Sequence, residues 1–148
     1  MLASTLDKKK FENICIIDTN AKIGSKIKVS GGAKCNITNE LVTCNNYLGD
    51  REFVKELLEK FSKNELLAFL NKNGVFPKIN PKIVKGTYFC NSSQDVIDMF
   101  TKLTTHVKKY LNTTVLDLEY DKHFKIKSVK YRNSSCYYAR KIKCNVII

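Results

Sequence analysis

Three observations predict a mixed α/β fold. A short β-branched run, Asn13 to Ile17, reads as a buried parallel strand ending in an acid, Asp18. From Asp50 to Gly74, and again from Ser92 to about Tyr110, the apolar residues recur at three- and four-residue spacing, the period of a helix. After Thr113 the period changes to two, as in antiparallel strands with one face buried.

Taken in order, Met1 to Lys9 has the pattern of a helix tail, with Leu2, Leu6 and Phe11 near one side and no N-cap ahead of them. The strand at Asn13–Ile17 follows, and Lys22–Asn39 reads as a loop. Asn45 to Gly49 is turn-like. Asp50 then caps a helix through Phe61, whose stripe of Phe53, Leu57, Leu58 and Phe61 is expected to pack into a core. Ser62-x-x-Glu65 is a capping box for a second helix, with Leu66, Leu67 and Leu70 facing inward and Gly74 as its stop.

Val75 to Asn91 holds both prolines, Pro77 and Pro81, and with Gly86-Thr87-Tyr88-Phe89 reads as extended chain broken by turns. Ser92 caps a longer helix expected to run to about Tyr110 on Val96, Ile97, Phe100, Leu103 and Val107. Leu116, Leu118 and Tyr120 alternate with acids, and Phe124 and Ile126 with lysines, about a turn at Asp121-Lys122-His123. A further run, Cys136 to Lys143, follows a turn at Asn133-Ser134 and leads into the apolar strand Asn145–Ile148. The expected division is 1–44, 45–112 and 113–148.

The stretch that carries chemistry is Lys22 to Asn39, with three glycines, four lysines and a run of small hydroxyl and amide side chains directly behind the strand. Such a composition suits a loop that cradles a ligand. A carboxylate at the carboxyl end of a parallel strand, here Asp18, is placed to accept ribose hydroxyls.

The order strand, acid, then K-x-G-x-K-x-x-x-S-G-G-x-x-C-N-x-T-N resembles the BaiN-like or YhiN-like bacterial flavoproteins, a branch of the glutathione-reductase-type FAD-binding superfamily. Gly24, Lys26, Ser30, Gly31, Gly32, Cys35, Asn36, Thr38 and Asn39 fall in register; the match is specific over Asp18–Asn39 and looser to Ile148. The resemblance implies part of a Rossmann-like FAD-binding domain with a helical segment and antiparallel strands. It implies FAD as cofactor and NAD(P)H as its reductant, held along Asp18, Gly24, Lys26, Ser30, Gly31, Gly32, Lys34, Cys35, Asn36, Thr38 and Asn39. No catalytic side chain is assigned, because the hydride chemistry belongs to the flavin and the protein binds and orients it.

Four positions depart from the family pattern. Ala33 stands where a third glycine is usual and Lys34 where an arginine is usual; lysine keeps the charge but cannot fork onto two oxygens. Thr87 and Cys90 replace the arginine and proline of G-R-x-F-P. Disulfide-reductase relatives carry a second cysteine five positions after the first, and Glu40 stands there, so the resemblance implies no redox dithiol and Cys35 reads as a loop-packing residue. The family's G-x-G-x-x-G turn, ahead of the first helix, and its A-T-G-G turn, after the last strand, are not in this sequence. The expectation is therefore a fragment that is inactive alone, holds FAD weakly, and associates with itself through an exposed sheet edge.

Composition bounds the alternatives. At 148 residues, 43% apolar, with eight Phe and seven Tyr, the chain is long enough to bury a core and too apolar to be disordered. No apolar run reaches the roughly 20 residues that span a bilayer, and Met1–Leu6 is too short for a signal peptide, so a soluble cytoplasmic protein is expected. Six cysteines (15, 35, 44, 90, 136 and 144) form no C-x-x-C pair, and the two histidines, His106 and His123, lack zinc spacing, so free thiols and no metal are expected.

A formal net charge of +12 admits a second function class, a basic module for nucleic acid or another polyanion. Only three of the 26 basic residues are arginine and they are dispersed, which favours general solvation. A P-loop fails on spacing, since Ala33-Lys34-Cys35 follows Gly32 where Lys and Ser or Thr are required. A Cys35–His nucleophile is not supported by any Cys-His spacing.

Overall fold

The computed structural model describes residues 1–7, 9–11, 13–32, 34–79, 85–121, 123–131 and 142–143, and these form two compact units. The expected segments around Pro81, at Lys122, at Asn133–Ser134, from Cys136 to Lys141 and from Asn145 to Ile148 lie outside the described residues.

The first unit holds residues 1–23 and 103–148. A single helical turn, α1 (Leu2–Thr5), precedes strand β1 (Cys15–Ile17), which pairs in parallel with β5 (Lys108–Tyr110), Cys15 opposite Lys108 and Ile17 opposite Tyr110. The strand expected at the β-branched run is thus present and parallel, but it covers only Cys15–Ile17 and is not buried, Cys15 being exposed and Ile16 and Ile17 half-buried. Its ladder continues past the strand end: the Asp18 N–H donates to the Tyr110 carbonyl at 3.0 Å, and the Asp18 carbonyl accepts from the Thr113 N–H at 2.9 Å. Thr113, 2% exposed, anchors the start of β6 (Thr113–Asp121), which forms an antiparallel hairpin with β7 (His123–Tyr131). Ile142–Lys143, β8, adds to the other side of β7. The antiparallel strands expected beyond Thr113 are present, with register irregularities between Val115 and Leu118, but the expected buried face is not: Leu116 and Leu118 are 47% and 49% exposed.

The second unit, residues 24–102, is built on a three-stranded antiparallel sheet in the order β2 (Asn36–Asn39), β4 (Thr87–Phe89), β3 (Lys78–Ile79). Helices α3 (Arg51–Lys60) and α4 (Lys63–Lys72) start where the sequence predicts. Asp50 accepts from the Phe53 N–H, and Ser62 and Glu65 form the reciprocal capping box. Leu70 and Val75 are buried, and the Phe69 ring of α4 stacks on Phe100 of α5 (Ser93–Leu103) with centroids 6.3 Å apart. Val96, Ile97 and Met99 of α5 complete this core.

Three expectations are corrected. The last helix ends at Leu103, not near Tyr110. Val107 fits the helical spacing and is buried, but the β-branched pair Thr104-Thr105 lowers helix propensity, and the Lys108 N–H donates instead to the Ile14 carbonyl at 3.1 Å. Parallel pairing with β1 outweighs one more helical turn. The stripe on α3 is not core, because Phe53, Leu57 and Phe61 are 59%, 48% and 40% exposed. The stretch read as loop also contains a fourth helix after the first strand, α2 (Ser25–Val29).

Candidate functional site

Asp18 sits in the first unit at the carboxyl end of β1, half-buried. Its Oδ1 accepts both the backbone N–H and the side-chain amide of Asn20, each at 2.8 Å. That turn residue was not singled out by the sequence, although an acid two positions before an asparagine is a known turn-forming pattern. Oδ2 has no hydrogen bond among the described residues and remains an acceptor.

The other site residues lie together in the second unit, and each follows from local backbone chemistry. Gly24, at φ 78°, caps α2, and a Cβ there would meet Cγ1 of Ile97 at 2.7 Å. Lys26 is exposed on α2. Ser30 ends that helix in extended geometry, and its carbonyl accepts from the Cys35 N–H at 3.1 Å. The chain between them doubles back through Gly31 and Gly32, both in the left-handed region at φ 59° and 61°. A Cβ on Gly31 would overlap the Asn36 side-chain oxygen, whereas one on Gly32 would meet nothing. Lys34 is exposed beside them.

Cys35 closes the turn at φ 50°, buried, and Asn36 starts β2 opposite Phe89. Thr38 pairs with Tyr88. Asn39 is fully employed by the fold: its amide nitrogen donates to the Lys85 carbonyl at 3.0 Å and the Thr87 hydroxyl at 3.1 Å, and its amide oxygen accepts from the Leu41 N–H at 2.9 Å. These contacts bind β2 to the Gly86 turn that precedes β4. The sequence marked Gly86 and Thr87 as a turn and an extended segment but contained no signal that they partner Asn39.

Burial pushes the Cys35 thiol above its ordinary value, so it is protonated at neutral pH and is not an activated nucleophile. Among the described residues no three His, Cys, Asp or Glu side chains converge as metal ligands, and no helix is long and apolar enough to cross a membrane. What the second unit presents is bare glycine backbone, whose N–H groups at Gly31 and Gly32 have no acceptor among the described residues, beside exposed lysines.

A parallel strand ending in an acid, with a glycine- and lysine-rich segment after it, defines a mixed α/β protein of the Rossmann class. The chain belongs to the HI0933-like family of FAD-binding flavoproteins, since residues 1–146 match the HI0933-like protein Rossmann domain. It is 34% identical over 101 residues to a ribosomal RNA dihydrouridine synthase of Escherichia coli (strain K12), covering 67% of this chain and 24% of that one. It is 36% identical over 66 residues to a 3-dehydro-bile acid delta(4,6)-reductase of Clostridium scindens, covering 44% of this chain and 16% of the reductase. A ribosomal RNA dihydrouridine synthase of Haemophilus influenzae is 34% identical over 65 residues, 43% of this chain and 16% of the synthase. The chain thus spans about a quarter or less of the curated relatives it matches. The family agrees with the flavoprotein resemblance carried by the loop.

Proposed function

We propose that this chain supplies part of the FAD site of an NAD(P)H-linked flavin oxidoreductase and binds the dinucleotide weakly by itself. The observation that carries the reading is the left-handed turn at Gly31 and Gly32, whose backbone N–H groups have no acceptor among the described residues, in a segment that also bears the exposed Lys26 and Lys34. Amide donors on exposed positive ground suit an anion such as pyrophosphate. Asp18 accepts a ribose hydroxyl through the oxygen that Asn20 leaves unused. Bound flavin supplies hydride transfer; the residues of this chain bind and orient it. The name of one relative, a 3-dehydro-bile acid delta(4,6)-reductase, describes a reduction, which supports a reductive role.

FAD titrated against the 148-residue chain, followed by flavin fluorescence, tests this. Each lost charge-assisted hydrogen bond costs about 1.5–3 kcal/mol, and every 1.4 kcal/mol is about tenfold in affinity. Weak saturable binding is expected, weakened by at least about tenfold in the combined Lys26→Glu, Lys34→Glu variant, and strengthened when the chain is extended to the length of its relatives. An extended chain that binds no flavin, or charge reversals that leave its affinity unchanged, overturns the reading.

A further inference from the structure

We propose that Cys35 and Cys90 form an oxidation site, in which hydrogen peroxide converts the two thiols into an intramolecular disulfide joining the turn before β2 to the residue after β4. The placement comes from the sheet. Asn36 is opposite Phe89 in the antiparallel β2–β4 pair, and continuing that register brings Cys35 opposite Cys90. The Cys90 N–H donates to the Cys35 carbonyl at 3.3 Å, so the backbone pairing extends to them. Antiparallel partners lie about 4.5–5.5 Å apart at Cα, inside the roughly 4.4–6.8 Å that a disulfide spans.

Both residues are buried, at 5% and 3% exposure, so a small oxidant reaches them more readily than a bulky thiol or disulfide does. Each cysteine is then the other's resolving partner. The thiols also sense one another: Cys90 is pushed up to about 11, first by burial, then by the negative charge of Cys35 and that of Asp95. Thiolate is scarce at neutral pH for this reason, and the reaction is slow and driven by excess peroxide.

The chemistry balances. One thiolate attacks a peroxide oxygen, the O–O bond breaks, and hydroxide leaves to take up the thiol's proton as water, giving a sulfenic acid. The second sulfur attacks that sulfenic sulfur, the S–S bond forms, the S–O bond breaks, and a second water departs. Two electrons pass from the sulfurs to peroxide. The cross-link closes the chain between β2 and β4, which lowers the entropy of the unfolded state and raises the melting temperature.

The test treats the native chain with hydrogen peroxide, alkylates the remaining thiols, digests without reduction and maps cross-linked peptides by mass spectrometry. One pair joining Cys35 to Cys90 is expected, lighter by two hydrogens than the separate peptides and lost on adding dithiothreitol, with a raised melting temperature in the oxidised chain. Cys35→Ser and Cys90→Ser each remove it. Three results overturn the proposal: sulfinic acid on either cysteine without a cross-link; cross-links from either to Cys15, Cys44, Cys136 or Cys144 as abundant as the Cys35–Cys90 pair; or no change at peroxide levels that oxidise Cys44. Because the map is read on the unsubstituted chain, it does not depend on the variants folding.

Discussion

Oδ1 of Asp18 accepts two hydrogen bonds from one residue, Asn20, through its backbone N–H and its side-chain amide, both at 2.8 Å. The carboxylate thereby shapes the turn that leaves β1, and its second oxygen is the one proposed to accept a ribose hydroxyl. These two roles are separable. Asn20→Ala removes the side-chain bond and is expected to lower stability by about 1 kcal/mol with flavin affinity retained. Asp18→Ala is expected to cost a similar stability and, in addition, about tenfold in flavin affinity. Urea unfolding with a parallel flavin titration distinguishes them; equal loss of affinity in both variants means that the acid acts only through the turn.

Gly24 is held by packing as well as by its backbone. Ile97 stands 2.7 Å from where a Cβ would be, and φ is 78°. Gly24→Ala therefore meets both steric overlap and left-handed strain, expected to destabilise by about 2–4 kcal/mol in sum. Ile97→Ala relieves the overlap but not the strain. In a double-mutant cycle measured by denaturant unfolding, the pair should be less destabilised than the sum of the single variants. Simple additivity would mean that the chain relaxes away from the contact.

Local rules carried the sequence reading where structure is decided locally. The Asp50 cap, the Ser62–Glu65 box and the antiparallel strands after Thr113 each depend on neighbours within a few residues, and each forms, although Leu116 and Leu118 are exposed where one face was expected to be buried. The errors fall where distant pairing decides. Val107 satisfies a helical stripe and a buried strand flank equally well, and only the presence of Ile14 as a hydrogen-bond acceptor settles the choice. Phe53 and Leu57 mark an apolar face on α3, but periodicity says nothing about whether another element covers it. At the site, the glycines were legible because few other residues tolerate positive φ. Asn39 was legible as part of a motif, but its partners across the sheet, Lys85 and Thr87, required the register of β2 on β4.

The capping box predicts a dependence on acid. The backbone N–H and hydroxyl of Ser62 hold the Glu65 carboxyl below its ordinary value. A depressed folded pKa means that the unfolded chain takes up the proton first as pH falls. The contribution is therefore present above the ordinary value of 4.5 and is lost as pH drops through the lower folded value. Ser62→Ala is expected to cost about 1 kcal/mol at neutral pH. Below the folded pKa of Glu65 the gap between Ser62→Ala and the unsubstituted chain should narrow, as read from melting curves taken across pH 2 to 7 (about the carboxylate range). A gap constant across that range would mean that Glu65 does not take part in the cap.

The buried thiol of Cys90 predicts a loss of stability at the alkaline end. Its pKa is raised from the ordinary value of 9.0 to about 11, chiefly by burial, with the charges of Cys35 and Asp95 adding to it. Above 9.0 the unfolded chain gives up this proton while the folded chain keeps it, so the folded state binds more protons and stability falls as pH rises. The fall is confined to the window between 9.0 and about 11, and it ends once the folded thiol has also ionised. Cys35, raised in the same direction by its own burial, contributes with the same sign. Cys90→Ala removes the titration at the cost of a small cavity, so its melting temperature should start lower at pH 8 and decline less steeply toward pH 11 than that of the unsubstituted chain. Lysine and tyrosine titrate in the same range in both chains, so the difference between the two slopes, rather than either slope alone, reports the thiol. Parallel slopes would show that Cys90 ionises as readily folded as unfolded, and would remove the electrostatic support for its closeness to Cys35.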